Sequence, residues 1–589
     1  MNILGISCFY HDAAAALIVN GSVVAAVEEE RLTRKKHDPS FPSMAIEYCL
    51  SQAGIRVEDL DAVVFYEKPI LKFIRILNST LQNAPRSYPV FLNAMHDWLG
   101  DKLWVKNTIV AELHVSPEKI FFCDHHLAHA ASSFFASPFE RAAIVTVDGV
   151  GEDTTTIIAR GDGALIESVV SKSFPHSIGL LYSVFTAFLG FEVNEGEYKV
   201  MGLAAYGEPT YVDKVRTLIT QADDGSYCIN EEYFAFTTSV EYGFNNKFLE
   251  LFGVPRSPER DFVTKRMDLS LQEQFTDEDL EKNQYYADVA ASIQVVVEEM
   301  VLKIVKHALR ITGESNLCFA GGVALNSVAN GRILRESGFS NVFIQSAAGD
   351  AGGALGSALW ASRTLFQDSR SNVVLPTYLG PSYGSKEIEE AIRNAQLSYE
   401  RVDHDEDELA NRISTFLAEG KVVGLFQGRC EWGPRALGNR SIIADPRNPD
   451  MRDIVNTKVK FREPFRPFAP VVLAESAKEF FELGGEAYEN LTRYMLLTTN
   501  VKKEKMNDIP ACTHINGTAR VQTVTPDDNS RFYNVIKSFE DKTSVPVILN
   551  TSFNLRGEPI VTSPRDAIKT FLASGIDVLV LENYILKKT

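Results

Sequence analysis

A glycine-bearing turn placed directly after a short apolar strand recurs three times in the first half of this 589-residue chain. No other feature constrains its fold as strongly. The first instance is the hairpin at 5–21, where apolar runs at 14–19 and 22–27 flank Asn20-Gly21, a strong two-residue hairpin signal. The second is DGVGED at 148–153, after AAIVTVD, and the third is AGGVALN at 320–326, after LCFA. Each alone is ordinary turn chemistry. Together they describe a repeated strand–turn unit whose backbone can approach a phosphate closely. Period-two and buried-run patterns add strands at 2–7, 61–66, 142–148, 155–160, 164–170 and 342–346. Helices are expected near 43–53 and over 285–309, the latter with Ile293, Val297, Met300 and Ile304 on one stripe.

The length calls for two or more domains. Composition shifts at 366–384, which reads as a linker between a domain at 1–365 and a more arginine-rich one at 385–589. The polar, aromatic stretch 222–283 reads as an insertion covering a cleft. A net charge of −18 argues against nucleic acid or an acidic membrane as the main partner. The seven cysteines are dispersed without a CxxC, as expected of reduced thiols. The N-terminus has no signal-peptide pattern and no run spans a bilayer, so a cytoplasmic protein is expected.

Three of the 11 histidines fall in DHHLAHAASSFF, Asp124–Phe135. On a helix His125 and His129 sit at i and i+4 and share one face, a spacing suited to one metal ion, while His126 points elsewhere. Asp350, in SAAGDAGGALG, is the candidate third ligand, and its alternative role is a helix N-cap. A two-His-one-carboxylate set suits Fe(II) or another octahedral divalent ion, here expected to hold phosphates. In their order the three turns resemble the phosphate-gripping loops of the actin-like ATPase superfamily, and that resemblance implies Asp148, Gly149, Gly151, Gly321, Gly322, Asn326 and Gly349 as phosphate-binding, with Lys199, in GEYKVMGLAAYGEP, as a wall of that site. His11 is a candidate general base. The run EEERLTRKKHD at 28–38 reads as a solvated charged face.

The second half concentrates Arg429, Arg435, Arg440, Lys460, Arg462, Arg466 and Arg520 in loops fixed by proline and glycine. Guanidinium forks bind phosphate or carboxylate bidentately. Asn550 and Ser552 follow the apolar run VPVILN and could bind the planar amide of a small anion.

On GISCFYHDAAAALIVNG, EEERLTRKKHD, DHHLAHAASSF, VDGVGE, GGVALN, GDAGGALG, GRCEWGPRALGNRS, KFREPFRPFAP and NTSFN, the chain resembles the NodU/CmcH-type O-carbamoyltransferases, relatives of the tobramycin enzyme, over essentially its whole length. The resemblance implies an α/β protein with an N-terminal actin-like (ASKHA) ATPase-type domain of two duplicated lobes and a C-terminal α/β carbamate-adenylating domain of the Sua5/YciO-like kind. It implies ATP and a divalent metal as cofactors, Fe(II) first and Mg(II) as the alternative, with His125, His129 and Asp350 on the metal. It further implies carbamoyl phosphate bound by Arg435, Lys460, Arg466, Asn490, Arg520, Asn550 and Ser552, a carbamoyl adenylate intermediate, and His11 and Lys36 as catalytic groups at the N-terminal site. The acceptor would be a hydroxyl of a small secondary metabolite, as in antibiotic biosynthesis, and the protein a monomer or homodimer. A threonylcarbamoyladenosine-type tRNA enzyme and an actin-like ATPase switch are the alternatives.

Overall fold

The computed structural model describes all residues except 101, 259–261, 268, 370–374, 403–404, 485–486 and 589. The chain forms two compact units, Met1–Glu29 with Asp38–Leu375, and Glu30–His37 with Pro376–Thr589. The second unit takes over inside the stretch read as a linker. Residues 370–374 of that stretch lie outside the described residues, but its end is built in: Trp432 N–H donates to the Thr377 carbonyl at 2.7 Å and Gly380 N–H to that of Cys430 at 3.0 Å.

The first unit contains two five-stranded sheets of identical topology. In one, Ser22–Glu28, Ala14–Val19 and Asn2–Ser7 run antiparallel, and Ala62–Phe65 and Ile120–Phe122 add on in parallel. In the other, Leu165–Ser173, Thr154–Asp162 and Arg141–Val147 are antiparallel, followed in parallel by Asn316–Ala320 and Asn341–Ile344. These are the two duplicated lobes expected from the repeated turn. In each lobe the fifth strand feeds a helix, His125–Phe134 in the first and Ala351–Trp360 in the second. The two helices pack on each other so closely that a Cβ at Gly356 would collide with the Ala128 carbonyl oxygen, and the second helix also presses on strand Asn2–Ser7, where a Cβ at Gly5 would collide with the Ala354 carbonyl oxygen. Small residues therefore set the spacing of the lobes.

The long helix is Asp277–Thr312, capped by the Thr276 side chain and ended by Gly313 at φ 66°. It begins well before 285; its first turns are acidic and carry no apolar stripe, so periodicity places its start too late. The stretch 222–283 is anchored on the first unit through aromatic packing. Its helix Asn246–Phe252 packs by Phe248 and Phe252 onto Phe185 and Phe188 of helix Ile178–Phe188, with ring centroids 5.2–6.1 Å apart.

The second unit is built on a nine-stranded mixed sheet in the order Glu400–Arg401, Tyr584–Lys587, Val578–Leu581, Val423–Phe426, Arg440–Ala444, Val547–Ser552, Ala469–Leu473, Thr518–Val524, Leu497–Asn500. Phe426, Ile442, Leu549, Phe553 and Leu579 form its core. The charge run is not a solvated face: Glu28, Glu29, Arg31 and Asp38 are all buried. Glu29 accepts the N–H groups of Met44 and Ala45, the start of helix Ser43–Ala53. Arg31 donates to the Gly433 carbonyl, and Arg34 to those of Pro559 and Ile560, all within the second unit. No helix among the described residues is long and apolar enough to cross a membrane.

Candidate metal and anion centres

In the first unit the two equivalent helices bring His125, His129 and Asp350 together, and the second lobe's first glycine turn adds Asp148. One ligand atom from each of the four lies within 4.8 Å of the others. His125 Nε2 is 3.0 Å from Asp148 Oδ2 and 3.8 Å from Asp350 Oδ1; His129 Nε2 is 3.6 and 3.4 Å from the same two oxygens. Asp350 occupies the N-cap position of its helix, yet its side chain makes no capping bond and turns to the histidines. The start of the HxxxH helix is held instead by Glu152, whose carboxylate accepts the His125 N–H at 2.9 Å and the Lys68 N–H at 2.8 Å. Gly151 lets His125 in, since a Cβ there would lie 2.9 Å from the ring. His126 is a structural bystander, as expected: its ring bridges Thr146 Oγ1 and the Thr154 carbonyl, and burial, then the two neighbouring imidazoles, push it down to about 3.

The donor set fits a divalent cation. Two imidazole nitrogens 3.1 Å apart converge with two carboxylates, Asp350 buried and Asp148 nearly so. Burial pulls His129 down, but its bonds to Asp148 and Asp350 outweigh that and push it up to about 10. Asp148 is held well below the usual carboxylate range, its burial overcome by His125 and His129. Imidazole and carboxylate at such a site suit Fe(II), Mn(II) or zinc better than an all-oxygen Mg(II) site.

His11 stands beside this cluster, Nε2 3.7 Å from Asp350 and Nδ1 2.8 Å from Asp12. Burial lowers its value, and Asp350 and Asp12 more than reverse that, to about 9. Of the glycine turns, Gly321 sits at φ 92° against the Val147 carbonyl, and Gly322 N–H donates to Asp148 Oδ1 at 2.9 Å, so the turns of this lobe touch. Gly149 borders open space, and Gly349 makes only ordinary contact with Leu325. Asn326 is committed elsewhere: it caps helix Ser327–Glu336 and pairs reciprocally with Gln294 at 3.1 Å. Lys199 lies over the Phe191 ring.

The second unit sorts the arginines into two groups. Arg440 is fully buried and bonds four carbonyls, those of Pro381, Gln427, Gly428 and Asn439; Arg429 holds those of Leu379 and Gly380; Arg462 holds Asn456 and Pro467. These three fix loops. Arg435, Arg466 and Arg520 lie close enough that burial, then the other two cations, hold Arg520 well below its usual value, and Arg466 also pairs with Glu463 at 3.6 Å. Lys460, buried, donates to the Ser552 and Asn554 carbonyls at 2.7 and 2.8 Å. It is pushed down by burial, then by Arg462, Arg466 and Lys36. Lys36 was expected at the N-terminal site; it belongs to the second unit. Asn550 donates to the Ala436 carbonyl and Gln522 Oε1, and its own Oδ1 is buried without a partner. Asn490 lies partly exposed in the one-turn helix Glu489–Thr492.

Two residues escaped the sequence reading. Glu431, buried, accepts the N–H groups of Leu437, Asn439 and Arg440 and so shapes the loop that carries Arg435. His514, next to Arg520 in the field of its charge, is pushed down to about 3 by burial, then by Arg520 and Arg452. Nothing in the sequence marks the first. The second stands in THINGTAR beside the arginine already singled out.

Residues 2–359 match the family model described as Carbamoyltransferase N-terminus, and 414–588 match Carbamoyltransferase C-terminus. Uncharacterized protein sll1178 of Synechocystis sp. is 45% identical over 100% of this chain and 97% of its own. Nodulation protein NolNO of Sinorhizobium fredii is 38% identical over 98% of this chain and 79% of its own, and nodulation protein U of Rhizobium tropici 29% identical over 95% and 91%. Among solved structures, component A of Acidaminococcus fermentans (R)-2-hydroxyglutaryl-CoA dehydratase aligns with a TM-score of 0.33 at 13% identity, over 61% of this chain and 97% of its own. HypF of T. kodakarensis aligns with 0.30 at 15% identity, over 64% and 50%.

Proposed function

Because the chain belongs to the carbamoyltransferase family and is a carbamoyltransferase, we propose that it works as an ATP-dependent O-carbamoyltransferase fed by carbamoyl phosphate. In this reading carbamoyl phosphate is hydrolysed to carbamate and phosphate. Carbamate oxygen then attacks the α-phosphorus of ATP, giving carbamoyl adenylate and pyrophosphate. A small-molecule hydroxyl attacks the carbamoyl carbon, and AMP leaves.

One observation carries the reading. The second unit gathers Arg435, Arg466, Arg520 and Lys460 close enough to repel one another, and sets beside them Asn550, whose Oδ1 is a buried acceptor without a donor. Carbamoyl phosphate offers both complements, an anionic phosphate and an amide N–H. Gln522 bonds Asn550 and shares a strand face with Arg520 two residues earlier, which supports one ligand meeting both. Cations fixed before the ligand arrives stabilise developing charge without reorganisation.

In the first unit, His125, His129, Asp148 and Asp350 would hold a divalent cation, which supplies positive charge for ATP phosphates. Phosphate oxygens would meet the turns at Gly149 and Gly321-Gly322. With a cation on Asp350 offsetting the carboxylate charge that holds His11 protonated, His11 would take the acceptor hydroxyl proton at Nε2, with Asp12 fixing its other nitrogen. The test is release of AMP and pyrophosphate from ATP, with and without carbamoyl phosphate, on anaerobically Fe(II)-loaded protein. Carbamoyl-phosphate-dependent pyrophosphate release, lost in Arg520→Ala, is expected. ADP release indifferent to carbamoyl phosphate would refute the adenylate route.

A further inference from the structure

The helical hairpin of residues 69–100 is amphipathic in the reverse sense. Helix Pro69–Gln82 turns Lys72 inward, where it pairs with Glu67 at 2.7 Å, and Arg75 over the Phe174 ring. Its outer face carries Ile70, Ile74, Leu77 and Leu81, with Ile70 64% and Leu81 73% exposed. Helix Tyr88–Gly100 repeats the spacing with Tyr88, Leu92, Met95 and Leu99, Tyr88 being 61% and Leu99 56% exposed. Both follow the four-three-four spacing of a helix-bundle seam.

The two stripes face the same way. The rings of Phe73 and Trp98 meet at 5.9 Å, joining the start of the first helix to the end of the second, so the pair is antiparallel. At 100° per residue, each of these rings lies about 70–90° around its helix from the stripe. Reversing one helix reverses that sense of rotation, which brings both stripes to one side. Trp104, donating its Nε1–H to the Leu99 carbonyl, extends the face. The exposed area is on the order of 900 Å², against about 800 Å² per partner in a standard stable interface and a few hundred Å² for an ordinary monomer patch.

We propose that this face is the interface of a two-fold dimer, two copies of the hairpin closing into a four-helix bundle. An isologous contact needs a surface complementary to itself, and two parallel apolar stripes of equal length are that. Charge agrees. With Lys72 neutralised by Glu67, residues 69–100 contain one carboxylate, Asp97, against Arg75 and Arg86, in a chain of net charge −18, so two copies approach here with little of their general repulsion.

Sedimentation velocity of the full chain over the micromolar range tests this. Wild type is expected to be dimeric. Leu81→Glu and Leu92→Glu should each weaken the dimer by on the order of a hundredfold, since each removes a buried leucine, with the far-UV circular dichroism spectrum unchanged. Leu165→Glu, which alters an equally exposed leucine on a sheet edge, should leave it intact. A wild-type monomer throughout, or a dimer indifferent to both hairpin substitutions, overturns the proposal. A monomer that co-sediments with anionic phospholipid vesicles through this hairpin overturns it too, and gives the face to a membrane surface.

Discussion

Asp148 does more than its place in a glycine turn announces. Its two oxygens serve different partners, Oδ2 approaching both histidines and Oδ1 accepting the Gly322 N–H. Asp148→Asn should therefore abolish divalent-cation binding, read by calorimetry, as fully as His129→Ala does. Retained binding there, with loss in Asp350→Asn, would reduce the site to three ligands. His514 gives a pH signature. It is held down to about 3 in the fold, while an unfolded histidine titrates near about 6.5. The unfolded chain takes up this proton first as pH falls, so the associated stability is full above about pH 6.5 and is lost progressively toward pH 3. His514→Gln should flatten the drop in urea-unfolding free energy between pH 7 and pH 5. The histidine pair and Asp350 were legible because helical spacing and flanking glycines are local signals. The division of arginines was not, because whether a guanidinium meets carbonyls or faces other cations depends on strands brought together from far along the chain.

At the scale of elements, the repeated turn was the most informative feature: it gave the duplicated lobes before any strand order was known. What it could not give was how closely the lobes' last helices approach. Gly356→Ala places a methyl against the Ala128 carbonyl, backbone that cannot turn aside, and should cost about 1–3 kcal/mol or more by thermal or urea melts. Because Ala128 lies one residue before His129, the same variant should weaken metal binding, whereas Gly54→Ala, which strains only a left-handed helix cap at φ 65°, should cost stability and leave metal binding intact. The start of the long helix was missed for a related reason. The Thr276 cap and the three acids after it are a start signal, but the apolar stripe that identifies a helix begins later.

For the whole molecule, the cation-rich centre implies that anions stabilise the second unit. Carbamoyl phosphate or inorganic phosphate at a hundredfold excess over Kd should add about 2.7 kcal/mol to its unfolding free energy, and Arg520→Ala should remove the gain. The order in which the chain visits its units bears on how the protein can be rebuilt. Residues 30–37 leave the first unit, lodge Arg31 and Arg34 on carbonyls of the second, and return. A single cut near 376 therefore yields no complete C-terminal module: the fragment lacks the eight residues 30–37. Chimeras that swap N-terminal halves between relatives would carry a foreign octapeptide into the second unit. Such grafts should be spliced at three points, so that the octapeptide travels with the half it serves.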